Sequence, residues 1–150
     1  MSKPIFILNG PNLNLLGTRE PHIYGSTTLA DVEAMCAKAA KDLATSIVLR
    51  QSNHEGQIVD WIHEAIHAAS GIIINPAAFT HTSVAILDAL KNIKAPIIEL
   101  HISNTHQREA FRHHSFVSGV ATAVMMGFGA NGYVLAVEGM VRLIKAQKPA

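Results

Sequence analysis

Short runs rich in isoleucine and valine alternate along this chain with longer segments of helical period, and that alternation constrains the fold more than any other feature. A run apolar at every position is buried on both faces, and parallel strands covered by helices on both sides are the usual way to achieve this. The strand candidates are Pro4 to Leu8, Ser46 to Gln51, Gly71 to Asn75, Ala95 to His101 and Ala121 to Met126. Five strands separated by helices predict an α/β chain with a flavodoxin-like, five-stranded parallel sheet in the order 2-1-3-4-5. Helices should cover both of its faces.

The helices show their own signals. Thr28 with Asp31 three residues on is a capping pair, and Leu29, Val32, Cys36, Ala39 and Leu43 follow as one apolar stripe. Ile58, Ile62, Ala65 and Ala69 make the second stripe, Val84, Leu87 and Leu90 the third, and Val134, Val137, Val141 and Ile144 the last. With 150 residues, 49% of them hydrophobic, one domain over 1–150 has side chains enough for a core.

A formal charge of +1, with basic and acidic residues scattered singly, offers no stripe for nucleic acid and no basic helix for a membrane surface. No run approaches the roughly 20 apolar residues of a membrane span, and the N-terminus lacks a signal-peptide core, so a soluble cytoplasmic protein is expected. The one cysteine, Cys36, falls on a helix stripe, where a buried and inert thiol is expected.

Two motifs invite other functions. His63-Glu64-Ala65-Ile66-His67 has the H-E-x-x-H spacing of a zinc hydrolase, but no third ligand follows and both histidines flank the apolar stripe. Gly127-Phe128-Gly129-Ala130-Asn131-Gly132 has the dinucleotide spacing, yet the chain ends before the strand and acidic residue such a site needs. Tight-turn glycines before a last helix explain it more simply. A receiver-type phosphoryl acceptor is excluded because Asn75, an amide, ends the third strand. A zinc hydrolase on His63, Glu64 and His67 and a non-catalytic flavodoxin-like binding module remain as alternative readings.

In open parallel sheets ligands bind beyond the carboxyl ends of the strands, where the strand order reverses. Those places read Asn9-Gly10-Pro11-Asn12, Asn75 to His81 and His101-Ile102-Ser103-Asn104, all rich in Asn and His. The words continue as Leu13-Asn14-Leu15-Leu16-Gly17, Arg19-Glu20-Pro21, Tyr24-Gly25, Arg50-Gln51-Ser52-Asn53, Asp60 to His63, Thr80-His81-Thr82-Ser83, Ile98-Glu99-Leu100 and Arg108 to Ser115. Through nearly its whole length the chain resembles the type II 3-dehydroquinate dehydratases.

That resemblance implies a trans elimination of water from 3-dehydroquinate to 3-dehydroshikimate through an enolate, with no cofactor, metal or Schiff base. The reaction serves shikimate-pathway synthesis of aromatic amino acids and quinate breakdown alike. Matching positions assign Tyr24 as base, Arg19 as the cation that lowers its pKa, Asn12 as enolate stabiliser and His101 as general acid, with Glu99 on the same strand face to orient it. Substrate binding falls to Asn75, His81 and Arg112 for hydroxyls and to the backbone N–H groups of Ile102 and Ser103 for the carboxylate. Arg108 faces the substrate or the lid, and Asp88 reaches a neighbouring subunit's site. The lid is expected over about 18–25, between Gly17 and Gly25, and trimers assembling to a dodecamer are implied.

On the residues alone the plainer readings stay open: a packed loop tyrosine beside a solvated arginine, a turn-forming Asn12 and an ordinary strand-end histidine. Phe79 where many relatives have tyrosine, Ala110 in place of an acid, and Glu138-Gly139-Met140 depart from the family pattern without touching these roles.

Overall fold

The computed structural model describes residues 2–18, 22 and 25–147. Strands β1 (Ile5–Asn9), β2 (Ile47–Gln51), β3 (Gly71–Asn75), β4 (Ile97–His101) and β5 (Ala123–Met126) form an all-parallel sheet in the order β2-β1-β3-β4-β5. This is the predicted order, and its reversal falls between β1 and β3. Each strand except β3 begins one or two residues later than expected, and β1 runs one residue further, to Asn9. Pro4 and Pro96 have no N–H to give a ladder, and only their carbonyls take part, accepting from Ser70 N–H and Ile72 N–H. Ala121 is drawn into a turn by its bond to the Val117 carbonyl.

Among the described residues four α-helices cover the sheet: α1 (Leu29–Asp42), α2 (Glu55–Ala68), α3 (Val84–Leu90) and α4 (Asn131–Ala146). Helices α1 and α4 pack over Ile5, Ile7, Ile73, Ile98 and Leu100, while α2 and α3 pack over Phe6, Leu8, Ile72, Ile74 and Ile97. The alternation of side chains along a strand makes this division. The same alternation sorts the residues at the strand ends: Asn9 and Asn75 share parity with the α1/α4 face, whereas Glu99 and His101 share parity with Ile97 on the α2/α3 face.

Thr28 and Asp31 form the expected capping box at the start of α1. The α2 stripe of Ile58, Ile62 and Ala65 is buried as predicted, with Ala69 at its end. Two stripes are corrected. Leu43 is the exposed C-cap of α1 and Ala40 takes its place in the core, because the helix ends at Asp42. Val84, the first residue of α3, is half exposed, and Ile86, Ala89 and Leu90 carry the contact. On α4 the buried set is Tyr133, Ala136, Val137, Met140 and Val141, with Val134 and Ile144 only partly covered at its margins. Met140, one of the departures from the family pattern, presses on Gly71 so closely that a Cβ there would lie 2.4 Å from its sulfur. Cys36 is buried, and burial pushes its thiol up to about 12, so it stays protonated and inert. No helix among the described residues is long and apolar enough to cross a membrane.

The loops after β1 and β3 touch at Gly10, whose N–H donates to the Asn75 carbonyl at 2.8 Å. A Cβ on Gly10 would lie 2.2 Å from the Pro76 carbonyl oxygen, a backbone atom that cannot swing away. Gly10→Ala is therefore expected to destabilise the fold by about 3 kcal/mol or more by forcing the two strand ends apart. A urea midpoint equal to that of the unsubstituted chain would show that the loops do not meet this way.

Candidate active site

The register of the ladders sets Asn9 beside Gln51 on one side and Asn75 on the other, so three amides end adjacent strands. Gln51 and Asn75 each hold a loop beyond the strand ends. Gln51 Nε2 donates to the Gly10 carbonyl and to Asn53 Oδ1, both at 3.1 Å, and Asn53 Oδ1 in turn accepts the Asn12 N–H at 3.0 Å. Asn75 Oδ1 accepts the Ala77 N–H at 3.2 Å. Asn12 and Ala77 both have left-handed backbones, with φ of 70° and 53°, which non-glycine residues adopt only when their surroundings hold them there. Both line the cleft.

Behind them sits Tyr133. Its phenol donates to Asn9 Oδ1 at 2.7 Å and accepts from Asn75 Nδ2 at 2.9 Å, and Asn9 Nδ2 donates to the Arg50 carbonyl at 3.1 Å. The side chain is wholly buried, and burial drives its pKa well above the ordinary value for a phenol. Tyr133 is a structural post, and sequence reasoning missed it because it reads as one more apolar-stripe position of α4.

The cleft lies at the carboxyl ends of β1, β3 and β4. From the first loop come Pro11, Asn12, Leu13 and Leu16. Asn75, Ala77, Ala78 and His81 come from the β3 end, and His101, Ile102, Ser103, Thr105, Arg108 and Arg112 from β4 and beyond. Among the described residues the lining holds two arginines and two histidines and no carboxylate, which suits a small anionic ligand. His81 Nδ1 donates to the His114 carbonyl at 2.7 Å, so Nε2 of the neutral ring is its acceptor. Arg112 is braced by Glu109 at 3.1 Å and lies over the Phe111 ring. Asn104 caps the short turn Thr105–Gln107 that follows Ile102 and Ser103.

At the end of β4, His101 Nε2 lies 2.5 Å from Glu99 Oε2. Glu99 is fully buried and does not reach the cleft wall itself. Burial pulls its carboxyl upward, but hydrogen bonds from His101 and Ser118 outweigh burial and hold it below its ordinary value. Glu99 and His101 are thus in direct contact, and with Nε2 committed to Glu99 the ring's other nitrogen, Nδ1, is left for a ligand.

Of the twelve residues singled out from sequence, Asn12, Asn75, His81, His101, Ile102, Ser103, Arg108 and Arg112 line one cleft, with Glu99 directly behind. Asp88 is exposed on α3, outside the lining. Arg19 and Tyr24 lie outside the described residues, as does most of the lid expected over 18–25. Its stems are described: Gly17 and Gly25 have φ of 92° and 77°, and a Cβ on Gly17 would lie 2.7 Å from the Ser26 carbonyl oxygen. Gly17 and Ser26 therefore lie against each other.

The competing motifs have other work. Glu64 forms an ion pair with Arg50, His63 and His67 are exposed, and among the described residues no three His, Cys, Asp or Glu side chains gather as metal ligands would. Gly127 and Gly129 take left-handed turn conformations after β5, and a Cβ on Gly132 would press on Leu100 at 3.2 Å.

Removing the Tyr133 hydroxyl leaves a buried amide N–H of Asn75 and a buried carbonyl of Asn9 without their shared partner. Tyr133→Phe is expected to cost about 1–3 kcal/mol in chemical denaturation. A neutral result would mean that the amides re-pair and that the phenol is no post.

A family model described as dehydroquinase class II matches residues 3–141. A 3-dehydroquinate dehydratase of Acidovorax sp. (strain JS42) is 59% identical over 147 residues, covering 95% of this chain and 99% of that protein. Another of the same name, from Cereibacter sphaeroides (strain ATCC 17029 / ATH 2.4.9), is 64% identical over 138 residues, covering 92% and 94%. The crystal structure of a type II dehydroquinase from Propionibacterium acnes superposes with a TM-score of 0.91 at 46% identity, covering 95% of this chain and 98% of that one. The chain belongs to the class II dehydroquinase family.

Proposed function

We propose that the chain is a 3-dehydroquinate dehydratase that removes water from 3-dehydroquinate in two proton transfers, with separate groups as base and acid. The observation that carries this reading is the Glu99–His101 pair at the wall of a cationic cleft, in a chain whose relatives bear that activity's name. Its substrate is a carboxylate, and the lining offers that charge arginines and histidines.

Abstraction of the proton beside the ketone needs a base. The chain has two tyrosines, and Tyr133 is disqualified: it is buried, donates its proton to Asn9 and has a raised pKa. That supports Tyr24. Arg19, five residues earlier, supplies the positive charge that favours the phenolate, since moving a phenol from about 10 toward neutrality takes about 4 kcal/mol of differential interaction. Charge then develops on the ketone oxygen, which Asn12, fixed in its left-handed turn by Asn53, stabilises through an ordered water.

The departing hydroxyl takes a proton from His101 Nδ1 and leaves as water, while the enolate electrons fall into the new double bond. Glu99 stabilises the imidazolium before the transfer. The Ile102 and Ser103 N–H groups seat the carboxylate, and Asn75, His81 and Arg112 bind the hydroxyls, with Arg108 set against the lid over 18–25. Asp88, on the outer side of α3, serves a neighbouring subunit in trimers that assemble to a dodecamer, and the enzyme works in the cytoplasm. Every step is proton transfer or hydrogen bonding by groups of the chain and an ordered water, so no metal or cofactor is called for.

The test is absorbance of the conjugated enone when purified, chelator-treated protein meets 3-dehydroquinate. Product is expected from the unsubstituted chain, with kcat reduced about 100-fold or more in Tyr24→Phe and Arg19→Ala. No product from folded protein would overturn the reading in favour of a binding module. Activity lost on chelation or in His63→Ala, but kept in Tyr24→Phe, would favour zinc chemistry.

A further inference from the structure

The Glu99 carboxylate is wholly buried on β4, and a buried carboxylate needs a donor for each oxygen. Oε2 faces His101 Nε2 at 2.5 Å and the Thr80 hydroxyl at 3.3 Å. Thr80 is part of a chain with one consistent direction: the Val117 N–H donates to Ser115 Oγ at 3.1 Å, and Ser115 and Thr80 lie 2.6 Å apart. With Ser115 donating to Thr80, the Thr80 proton is free for Glu99. Oε1 accepts from the Ser118 hydroxyl at 2.5 Å, the shorter of the two hydroxyl contacts to the carboxylate. Ser118 sits on the exposed turn after Val117 and does not line the cleft.

We propose that Ser118 is a positioning residue for the general acid: by holding Oε1 of Glu99 it fixes the carboxylate that holds the His101 ring against the cleft. The inference rests on the dehydratase reading for its consequence in turnover, but its geometric part stands apart from it. Without Ser118 the carboxylate is free to turn about its last bond, and Oε2 no longer faces Nε2 by default. A buried oxygen without a donor also binds a proton more readily, so Glu99 is neutralised at a higher pH and releases the ring earlier.

The titratable groups around Glu99 bear on that sign. His101 shares its strand, His81 ends the turn after β3, and His113 and His114 precede Ser115, while the ladder neighbours are Ile74 on β3 and Val124 on β5. Among these, His101 is the one that touches the carboxylate.

Ser118→Ala is expected to lower kcat about tenfold at neutral pH with KM unchanged, because a charge-assisted hydrogen bond is lost away from the cleft. The acid limb of its kcat profile should move up by about one pH unit, the same tenfold expressed as proton affinity. Ser118→Thr should restore both, and Ser118→Cys, similar in volume with a weaker donor, should fall between. In a Glu99→Gln background Ser118→Ala should add nothing. An unmoved acid limb, a KM effect alone, or an equal loss in the Glu99→Gln background would overturn the proposal. Carbon-13 NMR of the Glu99 carboxyl in the full chain keeps the two readings separate. If the unsubstituted protein makes no product, the dehydratase reading fails, while a Glu99 midpoint unchanged between it and Ser118→Ala sinks the role of Ser118.

Discussion

Three parallel strands end in register on amides, and the site depends on that coincidence. Asn9, Gln51 and Asn75 stand side by side where the strand order reverses. An amide both donates and accepts, so each can close off its own strand and reach forward to the next loop. Gln51 holds Gly10 and Asn53, Asn75 holds Ala77, and Asn9 joins Asn75 through Tyr133. Two left-handed non-glycine residues in the cleft are consequences of these bonds. Packing supplies the stability, and the amide row spends a small part of it on backbone conformations that point Asn12 and Ala77 into the cleft.

A second tension sits on β4. A glutamate at a fully buried strand position is among the more costly placements in a protein, and replacing it by an apolar residue would suit the α2/α3 side of the sheet. What keeps the carboxylate ionised is a ring of donors gathered from three segments: His101 from its own strand, Thr80 from the turn after β3 with Ser115 behind it, and Ser118 from the stretch before β5. The strand alternation that puts Ile98 and Leu100 into one core puts Glu99 and His101 together on the other face, one behind the cleft wall and one in it.

Much of this could be read from the chain. The number and placing of the strands follow from the apolar runs, the order of the sheet is the flavodoxin-like one that five strands alternating with helices suggest, and the polar edge follows from the Asn and His that succeed β1, β3 and β4. Helix margins were less visible. Leu43 and Val84 continue their stripes by period, but the helices end or begin at those residues, and a period carries no information about its own limits. Tyr133 and the serines around Glu99 were not visible at all. Tyr133 reads as an apolar-face residue until the strand ends are placed above it, and Ser118 is 19 residues from its partner with no pattern linking them. Contacts that join separate segments through single polar atoms leave no periodic trace.

The proposed catalysis rests on a division of labour, with proton removal and proton donation assigned to different side chains. The direct test is His101→Ala incubated with 3-dehydroquinate in deuterium oxide, with exchange beside the ketone and water loss followed together by NMR. Exchange should persist because the base is untouched, while elimination slows by about 100-fold or more. Loss of exchange in step with elimination, in folded protein, would contradict the division and require a single group to serve both steps.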